Sequence, residues 1–159
     1  MSNQDIMTKY PHMAQVAERI KKHEGFRLFP YKLEYKEKEG KYVQENFSTA
    51  GFGHKIQPNE EIPDTKEGWE KVFNNDLEMA VKATEKLVDS SKVNPVVFGV
   101  LTEMVFQMGA TGVNKFKNTL FHINNGDYEK ASKEMLKSKW AKQTEQRAVT
   151  LADLVKYSN

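Results

Sequence analysis

Apolar residues recur with two different periods along the chain, and these periods predict a mainly helical protein with one small β region. Helical spacing runs through residues 12–24, 65–88 and 94–157, whereas residues 26–56 alternate charged with apolar side chains, as strands do. The pattern predicts an α+β fold in two lobes, with an N-terminal helix and small β-hairpin lobe at about 12–64 and a helical C-terminal lobe at about 94–157. The long helix at about 65–88 joins the two lobes.

Capping residues predict where several helices begin and end. Gly25 is a C-terminal cap for the first helix, and Asp64 with Glu67 forms a capping box for the long helix. Asn94 caps the next helix, which is apolar nearly all round as far as Gly109 and should lie buried at the centre of the helical lobe. Asp127 caps one of three shorter helices, which are predicted at about 115–123, 128–138 and 145–157.

Composition excludes several classes of function. The 159 residues include no cysteine, so disulfides, thiolate chemistry and cysteine-bound zinc are excluded. His12, His23 and His122 lack metal-ligand spacing with one another or with acidic residues. We therefore expect neither a metal nor a cofactor. Residues 91–159 carry ten Lys and Arg against six Asp and Glu, an excess too small to argue for nucleic acid.

Targeting signals are also not expected. The first fourteen residues contain no apolar run that would indicate a signal peptide, and we expect no stretch to approach the roughly 20 apolar residues that span a bilayer. The chain should be soluble and made in a cytoplasm. If it works outside a cytoplasm, something else must release or carry it.

Glu24 is the first candidate for chemistry. It follows Ile20 by four residues, so it continues the apolar face of the first helix, at the end where the helix dipole disfavours negative charge. Such surroundings favour the protonated carboxyl that a general acid needs. Gly51 and Gly53 in the hairpin would let a ligand approach the chain closely. Periodicity alone still favours the alternative, an ordinary surface glutamate at a frayed helix end.

Several short motifs, spread over roughly residues 15–150, carry a resemblance to a known family. They are His23-Glu24-Gly25-Phe26-Arg27-Leu28, Tyr31-Lys32, Thr49-Ala50-Gly51-Phe52-Gly53-His54, Phe73-Asn74-Asn75-Asp76, residues 104–113, Lys139-Trp140 and residues 143–148. With these motifs in this order, the chain resembles the phage-type lysozymes of the glycoside hydrolases, the family of the T-even bacteriophage lysozymes.

This resemblance implies a single lysozyme-like domain over residues 1–159 and a muramidase activity. The enzyme would cut the β-1,4 bond between N-acetylmuramic acid and N-acetylglucosamine in peptidoglycan. Glu24 falls on the family's proton donor, and Thr49 falls on the threonine that helps to hold the attacking water. An inverting mechanism needs a second carboxylate, roughly 6.5–9.5 Å from the acid, to activate that water.

The second carboxylate is where the chain departs from its family. Leu33 occupies the position of the family's catalytic aspartate, and the hairpin between Tyr31 and Thr49 is longer. Glu34 is the first choice, because a one-residue bulge would point it where the aspartate would point. Glu45 is the second choice, because it shares a strand face with Thr49. The third alternative is that this carboxylate is missing.

The resemblance also implies supporting and substrate-binding residues. Arg147 falls on an arginine that pairs with the acid, and His54 and Asp76 match a structural ion pair. Predicted substrate contacts are Phe106, Gln107 and Thr119, with weaker roles for Lys55 and Glu134, which replace sugar-contacting residues of relatives. Trp69 and Trp140, at helical spacing, are predicted to be core residues instead of sugar-stacking ones.

The expected partner is a peptidoglycan glycan strand, with no nucleic acid and no direct membrane insertion. We expect a monomer that is made in the host cytoplasm and acts on periplasmic peptidoglycan, delivered through a holin or on a phage tail. A lytic transglycosylase is one alternative, because in that chemistry a single acid can suffice. The other is a wall-binding, tail-associated domain whose catalysis is weakened or lost.

Overall fold

The computed structural model describes residues 3–30, 35–38, 41–44 and 48–158, with side chains for residues 3–30 and 49–158. The described residues form eight helices and four short strands. These are α1 Asn3–Lys9, α2 Met13–Glu24, β1 Tyr35–Lys38, β2 Lys41–Gln44, β3 Ser48–Ala50, β4 His54–Ile56, α3 Lys66–Leu87, α4 Pro95–Asn114, α5 Lys117–Asn124, α6 Tyr128–Leu136, α7 Lys139–Gln143 and α8 Glu145–Lys156. The predicted mainly helical α+β fold is confirmed.

The chain divides into two compact units. One, the hairpin unit, is Lys21–Asp76; the other, the helical unit, combines Met1–Ile20 with Leu77–Asn159. Helices α2 and α3 each run from one unit into the other along the chain.

The hairpin unit contains two antiparallel pairs of strands. Strands β1 and β2 pair along their whole length, which confirms the hairpin predicted from the alternating residues, and β3 pairs with β4. The buried core of this unit includes Ala50, Phe52, Trp69 and Phe73. Gly51 has a φ of +61°, and a Cβ atom there would lie 2.3 Å from a ring carbon of Trp69. Only glycine fits this turn, because both the backbone conformation and the indole exclude a side chain.

Helix α4 is the central helix of the helical unit, as its apolar sequence predicted. The Asn94 side chain accepts a hydrogen bond of 2.8 Å from the Val96 N–H, so the predicted cap is confirmed. Every residue from 97 to 105 is buried. Gly109, with φ 80° and ψ 162°, interrupts the helical backbone where the apolar run was predicted to end.

Helix α4 also corrects one expectation about membranes. By length and composition it is long and apolar enough to cross a bilayer, so the expectation that no stretch approaches that length is wrong. However, 56% of the most apolar 18-residue stretch of this helix is buried inside the protein. The core of the helical unit therefore accounts for these apolar residues.

Two helices were not predicted. Helix α1 buries Ile6, and Tyr10 just beyond it stacks on Phe98 with ring centroids 4.6 Å apart. Helix α7, which carries Trp140, has only five residues. Helices this short have too few turns to show a periodic pattern, and tertiary contacts hold them instead.

The start of α3 differs from the predicted capping box of Asp64 and Glu67. The Thr65 hydroxyl accepts a hydrogen bond of 3.1 Å from the Gly68 N–H, and the Thr65 carbonyl accepts one from the Trp69 N–H. Thr65 thus caps the helix, a role that the sequence analysis predicted for Asp64, the residue before it. Threonine is one of the residues favoured at a helix N-terminus, although it ranks below aspartate.

Candidate active site

The hairpin unit holds Glu24 at the end of α2. Gly25 adopts a left-handed φ of +72°, and its N–H donates to the Lys21 carbonyl at 2.9 Å, which ends the helix as predicted. The half-buried Glu24 carboxyl lies against Gly53, where a Cβ atom would be only 2.5 Å from Glu24 Oε2. Inside the protein, Gly51 and Gly53 make room for Trp69 and Glu24. That they also let a ligand approach closely stays a prediction.

Thr49 lies in β3 of the same unit. It is half-buried and pairs in register with the exposed Lys55 of β4. Register partners point to one face of a sheet, so Thr49 and Lys55 share a face while Ala50 and His54 occupy the opposite one.

Backbone pairing ties Glu24 and Thr49 into the same small structure. Arg27, three residues after Glu24, exchanges two backbone hydrogen bonds of 3.0 and 2.7 Å with Gly51, two residues after Thr49. The Trp69 indole N–H donates to the Leu28 carbonyl at 2.9 Å and holds the same segment against α3. The loop after the predicted acid is therefore fixed to the strand that carries the predicted water-holding threonine.

The predicted second carboxylate lies outside the described residues. Glu34 and Glu45 are both outside them. So are the motif Tyr31-Lys32 and Leu33, which occupies the position of the family's catalytic aspartate. Which carboxylate serves as the base stays a prediction.

His54 lies between two carboxylates, and we call His54, Asp76 and Glu60 the imidazole cluster. The ring Nδ1 lies 2.6 Å from Asp76 Oδ2, and Nε2 lies 2.8 Å from Glu60 Oε2. The contact implied between His54 and Asp76 is confirmed. Glu60 was missed, because its polar loop gave no periodic signal that would have placed it beside a histidine.

The electrostatics of the imidazole cluster favour a charged ring. Burial by itself lowers the pKa of His54, but the Asp76 and Glu60 carboxylates outweigh it, so the pKa is raised. Burial raises the pKa of Asp76, while the hydrogen bond from the Gln57 N–H lowers the pKa of Glu60. The two carboxylates approach opposite ring nitrogens and cannot converge on one ion. Among the residues whose side chains are described, no group of His, Asp and Glu is placed to hold a metal.

The helical unit holds the predicted substrate contacts Gln107, Thr119 and Glu134. The Trp140 indole N–H donates to Gln107 Oε1 at 2.9 Å, and Trp140 is buried. Thr119 is 2% exposed, and the half-buried Glu134 has its Oε1 3.2 Å from Lys137 Nζ. Thr119, Glu134 and Trp140 line one cavity of about 440 Å³. The predicted core role of Trp140 is confirmed, as is that of Trp69.

Arg147 in α8 belongs to a second charged group, which we call the guanidinium cluster. Arg147 Nε donates to Glu103 Oε2 at 2.9 Å, and Arg19 Nε donates to Glu103 Oε1 at 2.6 Å. Glu103 is fully buried in α4. The predicted pairing of Arg147 with Glu24 stays a prediction. Glu103 was missed although its signal is in the sequence, since a lone charge in an apolar helix requires buried partners.

The predicted site residues divide between the two units. The hairpin unit contains Glu24, Thr49, His54, Lys55 and Asp76, and the helical unit contains Phe106, Gln107, Thr119, Glu134 and Arg147. The structure brings together Thr49 with Lys55, His54 with Asp76, and Thr119 with Glu134. The functional roles of all ten residues stay predictions.

Comparison with known proteins identifies the family of the chain. The family model described as Phage lysozyme matches residues 21–156. The chain is 29% identical to the pre-baseplate central spike protein Gp5 of Enterobacteria phage T4, over 94% of this chain and 28% of that protein. It is 34% identical to probable T4-type lysozyme 1 of Dictyostelium discoideum, over 61% of each chain. Probable T4-type lysozyme 2 of the same organism is 33% identical over 50% of this chain and 49% of its own.

The chain spans less than two thirds of the length of each of these relatives. The family match, by contrast, covers most of this chain and includes Glu24, Thr49 and Arg147. The resemblance seen in the short motifs is thereby confirmed, and the chain belongs to the Phage lysozyme family.

Proposed function

We propose that this chain is a muramidase that hydrolyses the β-1,4 bond between N-acetylmuramic acid and N-acetylglucosamine of bacterial peptidoglycan, with inversion, for host cell lysis. Membership of the Phage lysozyme family supports a glycoside hydrolase. The observation that carries the proposal is the position of the Glu24 carboxyl, which is half-buried at the end of α2 against Gly53. A carboxyl held there by the fold, on the family's proton-donor position, is suited to general acid catalysis.

The reaction would use two groups on opposite faces of the sugar. Glu24 gives its proton to the bridging oxygen as the glycosidic bond breaks, and a water molecule attacks the anomeric carbon from the other side. Thr49 orients that water through its hydroxyl, but a threonine is a poor base. The base is therefore a carboxylate of the lengthened hairpin, Glu34 in the first instance and Glu45 in the second.

The helical unit would supply substrate contacts from Phe106, Gln107 and Thr119, with smaller roles for Glu134 there and Lys55 in the hairpin unit. Gln107 is the best fixed of these, because its carbonyl oxygen accepts from the Trp140 indole and its amide nitrogen remains to donate. Arg147, oriented by Glu103, would support the acid.

Replacing Glu24 by glutamine tests the acid. An amide has the same shape but cannot donate the proton, so we expect the turnover of purified peptidoglycan to fall by about 10²-fold or more. Thermal stability should stay equal or rise, since functional groups are often held at a cost in stability. Glu61→Gln, an exposed change in the same unit, is the matched control. Near-parental turnover by Glu24→Gln would remove Glu24 from this role.

The identity of the base can be ranked with two further variants. Glu34→Gln should impair turnover more than Glu45→Gln. The reverse ranking would transfer the role of base to Glu45. If neither variant lost activity, neither Glu34 nor Glu45 would be the base.

Lytic transglycosylation is the second candidate chemistry, and Leu33 at the aspartate position favours it. In that reaction the sugar's own hydroxyl replaces water, so no base needs to activate a water molecule. The products distinguish the two reactions. Mass spectrometry of digested peptidoglycan should show reducing sugar ends for hydrolysis, whereas anhydro ends would establish transglycosylation.

Similarity to a spike protein over 94% of this chain favours a tail-associated enzyme over one delivered through a holin. In either case we propose synthesis in the host cytoplasm, action on periplasmic peptidoglycan, and a monomeric catalytic domain. Immunodetection of the chain in purified phage particles would support tail association. Its presence only in the soluble lysate would favour holin-dependent release, and a wall-binding role without catalysis would show as binding to peptidoglycan without turnover.

A further inference from the structure

Arg19 reaches the buried Glu103 at a place where α2 and α4 pack closely. A Cβ atom on Gly99 would lie only 2.7 Å from Val16 Cγ2, so the two helices are in direct contact there. Arg19 lies one turn after Val16 in α2. Glu103 lies one turn after Gly99 in α4. The close packing of the two helices therefore brings a long guanidinium side chain to a carboxylate in the core of the helical unit.

Glu103 gives one carboxylate oxygen to each of two arginines. Arg19 Nε donates to Oε1 at 2.6 Å, and Arg147 Nε donates to Oε2 at 2.9 Å. Glu103 is fully buried, and the side chains of Arg19 and Arg147 are only 22% and 11% exposed. Water therefore competes little for these hydrogen bonds, and the orientation of each guanidinium depends on which oxygen of Glu103 it holds.

Both arginines contact Glu103 through Nε alone. In a guanidinium group, Nη2 lies on the same side as the Nε hydrogen, so a carboxylate that meets this side with both oxygens receives two parallel hydrogen bonds. In the guanidinium cluster, Nη2 of each arginine is buried but bonds to neither oxygen of Glu103. The stronger, two-oxygen contact does not form because each arginine occupies the oxygen that the other would need.

Loss of Arg19 would therefore change the geometry of Arg147. With Oε1 released, Glu103 can accept hydrogen bonds from both Nε and Nη2 of Arg147. A single guanidinium facing a buried carboxylate favours this paired geometry. The Arg147 guanidinium would then turn toward Glu103, and its terminal nitrogen atoms would change direction.

We propose that Arg19 is a positioning residue, which occupies Oε1 of Glu103 and thereby restricts Arg147 to a single contact through Nε, so that the Arg147 Nη atoms remain available to the reaction. The inference rests on the proposed function, in which Arg147 supports the acid. Arg19 lies before residues 21–156, which match the family, so the family match does not assign it a role.

Steady-state turnover of soluble, uncross-linked peptidoglycan by the full chain tests this proposal. Arg19→Met keeps the length of the side chain as far as Nε but removes the donor. It should lower kcat about tenfold and change KM less than about twofold, because a turned Arg147 affects the reaction more than binding. Arg19→Lys should keep at least about half of the parental kcat, since a single hydrogen bond does not need the planar fork of arginine.

Lys92→Met is the matched control, because it removes an exposed cation from the same unit. It should change kcat less than about twofold. Circular dichroism at the assay temperature verifies that each variant is folded. Arg19→Leu, which also lacks a donor, replaces Arg19→Met if that variant does not fold.

A second substitution separates the orientation of Arg147 from the stability of the protein. In Arg19→Met/Glu103→Gln, the glutamine carbonyl oxygen still accepts from Arg147 Nε, but the amide nitrogen is a donor and cannot accept from Nη2. Arg147 then keeps a single contact, and kcat should return to within about threefold of the parental value. A role in stability alone predicts no such recovery, because the second change removes a further charge from the buried cluster.

Crystal structures of the parent and of Arg19→Met provide a measurement that does not depend on turnover. In the variant, Arg147 Nη2 should lie about 3 Å from Glu103 Oε1. The proposal is overturned if Arg147 keeps its parental geometry, if Arg19→Met retains as much kcat as the Lys92→Met control, or if the double variant does not recover. A chain in which Arg147 turns as expected but which never cleaves peptidoglycan would contradict the muramidase proposal alone.

Discussion

Each unit of the molecule contains a cluster of three charged groups, and the two clusters are opposite in composition. In the helical unit one carboxylate, Glu103, lies between two guanidinium groups, whereas in the hairpin unit one imidazole, His54, lies between two carboxylates. Glu103 is fully buried, but the side chain of His54 is 17% exposed and that of Glu60 is 28% exposed.

The two clusters hold buried charge in different ways. Arginine stays protonated at all ordinary pH values, so the guanidinium cluster holds a permanent pair of cations around Glu103. The imidazole cluster contains a group that titrates near neutral pH. Loss of a member should therefore be costly at any pH in the helical unit, and smaller and dependent on pH in the hairpin unit.

Replacing Glu103 by leucine should have the largest effect. The change leaves the guanidinium groups of Arg19 and Arg147 without the carboxylate they bind, which costs about 3–5 kcal/mol in the free energy of unfolding. Urea denaturation measures the loss, with the exposed Glu129→Leu in the same unit as control. A loss similar to that of the control would show that the guanidinium cluster contributes no more than surface charge.

A second substitution should restore part of that stability. Arg19→Met in the Glu103→Leu background removes one uncompensated guanidinium, whose Nη2 is already buried without a partner, and should recover about 1–3 kcal/mol. Arg19→Met alone should instead destabilise the protein, because Glu103 then loses a partner. If the two changes simply added, the residues would not be coupled.

The guanidinium cluster also shows what the sequence could not predict. Arg19 and Arg147 lie 84 and 44 positions from Glu103, and no local pattern relates residues so far apart. Asn94 and Asp127, by contrast, were correctly predicted as caps because each bonds to an N–H only two or three residues away. Local rules thus predict where helices begin, whereas the pairing of charges depends on the tertiary fold.

The candidate site also contains residues that the sequence predicted and residues that only the tertiary fold reveals. Glu24, Thr49 and the contact of His54 with Asp76 were predicted because family motifs carry them. Glu60 lies in a loop that matches no motif, so the sequence showed its charge and not its neighbours. The sequence did not identify the second carboxylate, because Leu33 occupies the position of the family's catalytic aspartate. The candidates Glu34 and Glu45 lie outside the described residues.

His54→Gln should have a smaller effect that depends on pH. The pKa of His54 is raised in the folded protein, so its stabilisation is fully present below the unfolded value of about 6.5 and is lost as pH rises through the folded pKa. We expect a loss of about 1–2 kcal/mol near pH 5.5 and less near pH 8.5, because the lost contacts are hydrogen bonds to charged groups. Unfolding curves at both pH values measure it. An equal loss at both would show that His54 acts only by packing.

Glu60→Gln should have the smallest effect and the opposite dependence on pH. The hydrogen bond from the Gln57 N–H holds the pKa of Glu60 below its usual range, so its stabilisation is present above about pH 4.3 and is lost as pH falls through the folded pKa. Because Glu60 is partly exposed, the loss at neutral pH should stay below about 1 kcal/mol. Removing this carboxylate should also lower the pKa of His54, which NMR titration of the ring would detect. A loss as large as that of His54→Gln would show that Glu60, and not Asp76, is the principal partner of the imidazole.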